Sequence, residues 1–342
     1  GMIPDLNTIW FLLVGILLTG YAILDGFDLG VGGLHLLVRG DQERRIFLND
    51  IGTVWDGNEV WLVTGGGALF AAFPNVYATV FSGFYDAFIL LLAAIIFRAV
   101  AIEFRSQRSG KGWRATWDVA FSLSSLLSAL LIGVALGNIV WGIPLNQYHD
   151  FQGNFLTLLH PYAFFVGVMA ITLFIMHGNL YLILMTEGPL QQKLRQWTRY
   201  TIPAYLVCFI LLHVITVSTC LQIQAALGQR WWILVPLLVL TLLFTLNIWR
   251  ETGKARAGWA FVNSCLSILT LMLLVGAAIY PNIVFSMPQM AHSLNIYNGA
   301  STDRTLRFMF FVALIGVPLV LAYTIGIYYV FRGKVKLTEE SY

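Results

Sequence analysis

What most constrains this chain is a succession of apolar stretches, each about as long as the roughly 20 helical residues that cross a bilayer core of about 30 Å. Phe88 to Phe97 reads Phe-Ile-Leu-Leu-Leu-Ala-Ala-Ile-Ile-Phe without a polar side chain. Strands of a membrane barrel alternate apolar and polar residues, so uninterrupted runs of this kind predict helices. Nine spans are expected, near residues 8–38, 51–73, 76–104, 117–141, 161–185, 201–223, 231–249, 258–280 and 306–331. Charged residues make up 11% of the chain, against about 25% in an ordinary soluble domain, which excludes a water-soluble fold. With 58% hydrophobic residues, disorder is excluded as well. The expected fold is all-α and polytopic, with eight helices as two four-helix bundles and a ninth at the periphery. The connections 142–160 and 281–305 are too short for a second core, so residues 1–342 read as a single membrane domain.

A net charge of +3 is too small to imply a nucleic-acid partner. The basic residues are sorted, however. Sixteen of the 20 Lys and Arg, from Arg39 to Lys336, fall in alternate loops, the opposite loops hold only Arg230, Arg304 and Arg307, and Arg98 lies within a span. Cytoplasmic loops carry the basic excess, so the N-terminus is expected outside, in the periplasm, and the C-terminus in the cytoplasm. The first run lacks a basic leader and a small-residue cleavage site and is expected to persist as a mature helix. Cys208, Cys220 and Cys265 sit in apolar runs without a Cys-x-x-Cys pair and read as small hydrophobes.

Ionisable side chains within spans are costly and must face protein or water. Here they collect on the first three spans: Asp25 and Asp28, then Asp56 and Glu59, then Asp86, Arg98 and Glu103. At about 1.5 Å per residue, Asp28 lies roughly 15 Å from the cytoplasmic end of its helix, Asp56 about 8 Å inside the second, and Arg98 about 10 Å from the end of the third. Helical phase puts Asp25, Asp28, Gly32 and His35 on one stripe and Gly26, Gly30 and Gly33 on another, where a second helix can approach closely. Gly133 and Gly137 are expected to do the same on the fourth helix, and Gly65-Gly66-Gly67, without a following Lys-Ser or Lys-Thr, reads as helix packing and not as a phosphate loop. One arginine cannot neutralise three acids, so the remainder must be protonated or hydrated. Asp28, Asp56 and Glu59 therefore read as proton-exchanging groups, with Arg98 holding one acid ionised; a structural ion pair is the plainer alternative. His177 and His213 lie within spans and read as hydrogen-bonded packing residues ahead of metal ligands, and Trp10, Trp141, Trp231 and Trp232 as interfacial anchors.

The motifs Asp25-Gly26-Phe27-Asp28-Leu29-Gly30, Trp55-Asp56-Gly57-Asn58-Glu59-Val60-Trp61 and Gly66-Gly67-Ala68-Leu69-Phe70-Ala71-Ala72-Phe73-Pro74 resemble subunit II of cytochrome bd quinol oxidases. Phe97-Arg98-Ala99-Val100-Ala101, Trp259-Ala260-Phe261-Val262 and Ser293-Leu294-Asn295-Ile296-Tyr297-Asn298 extend the resemblance over nearly the whole chain. It implies a nine-helix, non-haem-bearing subunit of an electrogenic terminal oxidase of the respiratory chain, in the bacterial inner membrane. Two b-type haems, the d-type haem and the quinol-oxidising loop would belong to subunit I, the partner. Subunit II would lend part of a proton path, with Asp25, Asp28, Asp56 and Arg98 at the motif positions. The resemblance also admits a structural quinone or lipid on this chain and small accessory single-helix subunits. Asp86 and Asn295 depart from the family pattern. The alternative from the charges alone is a proton-coupled secondary transporter, which the nearly uncharged second half does not favour.

Overall fold

The computed structural model describes residues 3–342. Its helices are α1 (Leu6–Leu34), α2 (Asp41–Gly52), α3 (Trp55–Ala72), α4 (Pro74–Gly83), α5 (Tyr85–Phe104), α6 (Lys111–Trp141), α7 (Phe155–Leu158), α8 (Pro161–Met185), α9 (Gly188–Thr219), α10 (Leu221–Gly253), α11 (Ala257–Ile279) and α12 (Asp303–Val330). Among the described residues eight helices are long and apolar enough to cross a membrane: α1, α5, α6 and α8 to α12. The remaining expected span, 51–73, is α3 with α2 ahead of it. It begins at Trp55 because α2 ends at Gly52 and the β-branched pair Thr53-Val54 links the two helices. The expected helix 76–104 is likewise two helices. Gly83 closes α4, Phe84 leaves helical geometry, and α5 restarts at Tyr85. Asp86 therefore stands exposed in the first turn of α5, where an acid complements the helix dipole, and not deeper in a continuous span. The expected 201–223 and 231–249 extend to α9 and α10, and α10 kinks at Arg230, whose guanidinium caps the Ala277 and Ala278 carbonyls of α11 at 3.2 and 3.0 Å.

In the first half α1 packs on α3 and α6, and α6 on α5; in the second, α8 on α9, α9 on α10, α10 on α11, and α11 back on α8. The halves join where α8 meets α1 and α6. Glycine sets this junction. A Cβ at Gly30 would overlap the Phe174 carbonyl oxygen, one at Gly178 would sit 2.7 Å from the Gly30 carbonyl carbon, and Gly133 and Gly137 face the backbone of Gly167 and Ala163. Gly30→Ala should therefore push α1 off α8, at a cost of about 1–3 kcal/mol from overpacking. Lower yield and a lower thermal midpoint of the detergent-solubilised protein would show it, and an unchanged midpoint would contradict the tight junction. Of the three consecutive glycines only Gly65 packs against α1, at Leu17 and Leu18; Gly66 and Gly67 face open space.

The segments between helices are more built than connections of their length require. Strands β1 (Asn282–Val284) and β2 (Leu294–Asn295) pair antiparallel, Ile143 bridges to Ser286, and His292 Nδ1 lies 2.9 Å from the Leu145 carbonyl. Val284, Leu294, Ile296 and Ile143 pack there with Trp10 and Phe73 into a cap around the start of α1. Trp10 is part of that core, its indole N–H donating to the Leu306 carbonyl at 3.0 Å, so it joins α1 to α12 and is not an exposed interfacial anchor. Trp231 and Trp232 do stand exposed. Of α12 only Leu306 is buried, and the helix lies against α3 and α1.

Candidate functional site: a buried carboxylate and arginine cluster

Helices α1, α3 and α5 bring four of the five expected residues together. Arg98, fully buried on α5, places Nη2 3.0 Å from Asp25 Oδ1 and donates to Asp25 Oδ2 at 3.1 Å; the same nitrogen bonds Glu59 Oε1 of α3. Asp28, one turn beyond Asp25, accepts from Asn58 Nδ2 at 2.7 Å, while its other oxygen has no partner among the described residues. Arg98 Nε and Nη1 are likewise buried without a partner. Two acids therefore share one guanidinium, and Asp28 is held by a neutral amide.

Asp56 is the exception. Because α3 begins at Trp55, Asp56 lies in the first turn and is exposed, without an ion pair among the described residues, instead of about 8 Å inside a helix. It stands three residues before Glu59 on the same helix, so the two carboxylates are neighbours along one face. Exposure then falls in order: Asp56 is open, the Glu59 side chain is 18% exposed, Arg98 1% and Asp25 0%. A graded line of ionisable groups thus runs from the end of α3 to Asp28 in the protein interior.

Sequence reasoning missed two partners here. Asn58 Oδ1 accepts from the Tyr328 hydroxyl at 2.8 Å, which ties α12 to the Asp28 amide contact. Tyr21, one turn before Asp25, buries its hydroxyl without a partner. Asn58 lies within the Trp55 to Trp61 motif and was legible as polar; Tyr328 is 270 residues away and carried no local signal.

The expected stripe of Asp25, Asp28, Gly32 and His35 divides. His35 belongs to a separate network at the basic end of the molecule. Its Nε2 lies 2.5 Å from Asp118 Oδ1, which also takes Arg105 Nε at 2.6 Å, while Asp118 Oδ2 takes Arg44 at 2.8 Å. Asp41 accepts from Arg105 at 2.8 Å and from Arg114 at 2.9 Å. Burial raises the Asp41 carboxyl, but the bonds and charges of Arg105 and Arg114 outweigh it and hold it below the usual carboxylate range. Arginines from two of the basic loops thereby converge on one end of the bundle, with Lys193 of a third bound to Glu43 beside them.

Among the described residues no three His, Cys, Asp or Glu are placed to hold an ion. His177 spends both ring nitrogens, Nδ1 at 2.6 Å from Ser264 Oγ and Nε2 at 2.7 Å from the Ile23 carbonyl, and stacks on Phe261; His213 Nδ1 engages the Phe209 carbonyl. These are the packing roles expected of them.

The fold and site define an integral membrane protein of packed helices with arginine-bound carboxylates buried where three of them meet. The family model for cytochrome bd terminal oxidase subunit II matches residues 6–331, and the chain belongs to that family. It is 38% identical to the cytochrome bd-I ubiquinol oxidase subunit 2 of Escherichia coli K12, over 96% of this chain and 95% of that protein. Against the cytochrome bd ubiquinol oxidase subunit 2 of Bacillus subtilis the identity is 32%, covering 98% of each. The bd oxidase structure from Geobacillus thermodenitrificans aligns with a TM-score of 0.78 at 18% identity, over 95% of this chain and 98% of the matched chain, and shares its fold.

Proposed function

We propose that this chain, acting as a single nine-span membrane domain, is the non-haem-bearing subunit of a respiratory quinol:oxygen oxidoreductase. It pairs with the haem-bearing subunit I in the bacterial inner membrane and carries protons from the cytoplasm toward the site where oxygen is reduced to water. In this reading the N-terminus is periplasmic and the C-terminus cytoplasmic. The two haems b and the haem d lie in subunit I, and quinol is the reductant. Membrane lipid, a structural quinone and small accessory single-helix subunits are further partners. Family membership supports the pairing.

The observation that carries the proton path is the falling exposure from Asp56 through Glu59 to Asp25 and Asp28. Asp56 takes a proton from cytoplasmic water and passes it to Glu59. Arg98 keeps the Glu59 and Asp25 region from accumulating negative charge, so that a proton can move between acids without leaving an isolated buried carboxylate. Asp28, held by Asn58, is the inner acceptor. Protons taken from the cytoplasm and released from quinol on the other side separate charge without a pumping cycle. A proton-coupled transporter is not favoured, since the buried ionisable pairs among spans concentrate in the first half and the family is that of an oxidase subunit.

Asp56→Asn tests the path at its mouth. The side chain is exposed and has no ion pair among the described residues, so the complex should assemble with its full haem complement while oxygen uptake slows about twofold for loss of a proton-transfer group. Full turnover in the assembled variant would remove Asp56 from the path.

A further inference from the structure

Asp50, on α2, is a buried acid that the proposed path does not use. It is 1% exposed, and neither carboxylate oxygen has a hydrogen-bond partner among the described residues. The other buried acids are all answered: Asp25 by Arg98, Asp28 by Asn58, Asp118 by His35, Arg44 and Arg105, and Glu251 by Arg256 at 3.6 Å. An ionised carboxylate left alone in such a place would cost several kcal/mol, and the group takes up a proton instead. The structure thus holds a buried acid without a partner where a structural role would call for one.

Its surroundings point toward Asp28. The Tyr181 hydroxyl of α8 donates to the Asp50 carbonyl at 2.9 Å, and the Tyr181 ring stacks at 3.9 Å on Phe27, the residue before Asp28. Tyr328, in the same apolar cluster, reaches Asp28 through Asn58. The charge that acts on it is that of Lys334, exposed after α12, its Nζ donating to the Leu184 carbonyl of α8 at 2.6 Å. On its own helix, Arg45 and Asn49 are turned to the Tyr342 carbonyl and do not neutralise Asp50. The groups facing Asp50 are therefore a tyrosine from α8 and a lysine after α12, with the tyrosine Tyr328 of α12 and Asp28 of α1 beyond.

We infer that Asp50 is a second proton-holding carboxyl that supplies Asp28 from the cytoplasmic side past Tyr181 and Tyr328, in parallel with the line through Asp56 and Glu59. The inference rests on the proton-path reading above. Each transfer moves one proton and no electron. The Asp50 carboxyl releases a proton to the hydroxyls and water leading to Asp28, the Asp28 carboxylate accepts one, and Asp50 is reprotonated from water beside Lys334. The proton is consumed with quinol-derived electrons when oxygen is reduced. Burial pushes the Asp50 carboxyl well above the usual carboxylate range, against the opposing charge of Lys334. The store is therefore filled below that raised value and empties as pH rises through it.

The test uses the intact oxidase complex carrying Asp50→Asn, assayed for quinol-driven oxygen uptake across pH, with oxidised-minus-reduced infrared difference spectra. Wild type should exceed Asp50→Asn by about twofold at low pH, two inlets against one, with the rates converging as pH rises and Asp50→Glu restoring the wild-type profile. The difference spectrum should contain a protonated-carboxyl stretch that Asp50→Asn removes and Asp50→Glu shifts. Wild-type rates at every pH in Asp50→Asn, or no such band, would overturn the inference. Should Asp50→Asn fail to assemble, an unshifted band in Asp50→Glu would overturn it equally. A normal Asp50→Asn beside a slow Asp28→Asn removes only this second branch, whereas full turnover in Asp28→Asn removes the underlying path.

Discussion

Arg98→Ala is expected to abolish accumulation of the folded chain. The guanidinium is the charge shared by Asp25 and Glu59, and truncating it leaves buried carboxylates without a counterion. Breaking a buried pair in this way costs about 3–5 kcal/mol, a large share of the 5–15 kcal/mol that holds a typical protein folded. Lysine should restore part of it. One nitrogen, Nη2, meets both acids, so a single ammonium can replace its charge, at the cost of ordering a flexible, strongly hydrated stem. Membrane levels of the tagged chain, measured with and without co-expressed subunit I, check this. Normal levels of Arg98→Ala would mean that the acids are already neutral and the ion pair is dispensable.

Asp28→Asn is the second large effect, and it acts on rate with little effect on folding. The carboxyl of Asp28 touches only the Asn58 amide, and asparagine keeps the size and can keep a hydrogen bond. The complex should assemble, and oxygen uptake should fall by about a hundredfold because both proposed inlets end at this group. Haem content per chain, read beside the rate, separates the two effects. A normal rate at normal haem content would place proton delivery outside this chain.

Most of the spans, and Asp25, Asp28, Glu59 and Arg98 as membrane-embedded charges, were legible in the sequence because apolar length and embedded charge are local signals. Asp25, Glu59 and Arg98 meet as a shared charge demands. Asp56 was read too deep, since the apolar run hides the break at Thr53-Val54, where α2 ends and α3 begins. The break at Phe84 was hidden for the same reason: hydropathy is blind to whether consecutive apolar residues stay helical. Tyr328 and the Asp118 network carried no local signal because their partners come from distant segments, and Asp50, at the end of the charged helix α2, gave none of its own. Packing of α2 against α1, α3 and α8 buries it.

The proposed role of this chain is to form one half of a quinol oxidase and to feed it protons. The most direct measurement is a reduced-minus-oxidised visible spectrum, with quinol-driven oxygen uptake and the proton uptake that accompanies it, on the complex captured through an affinity tag on this chain. The account predicts b- and d-type haem bands, oxygen consumption, and proton uptake that is slowed in Asp28→Asn at unchanged haem content. A colourless, inactive preparation from cells shown to make subunit I would contradict it, as would proton uptake unaltered by Asp28→Asn.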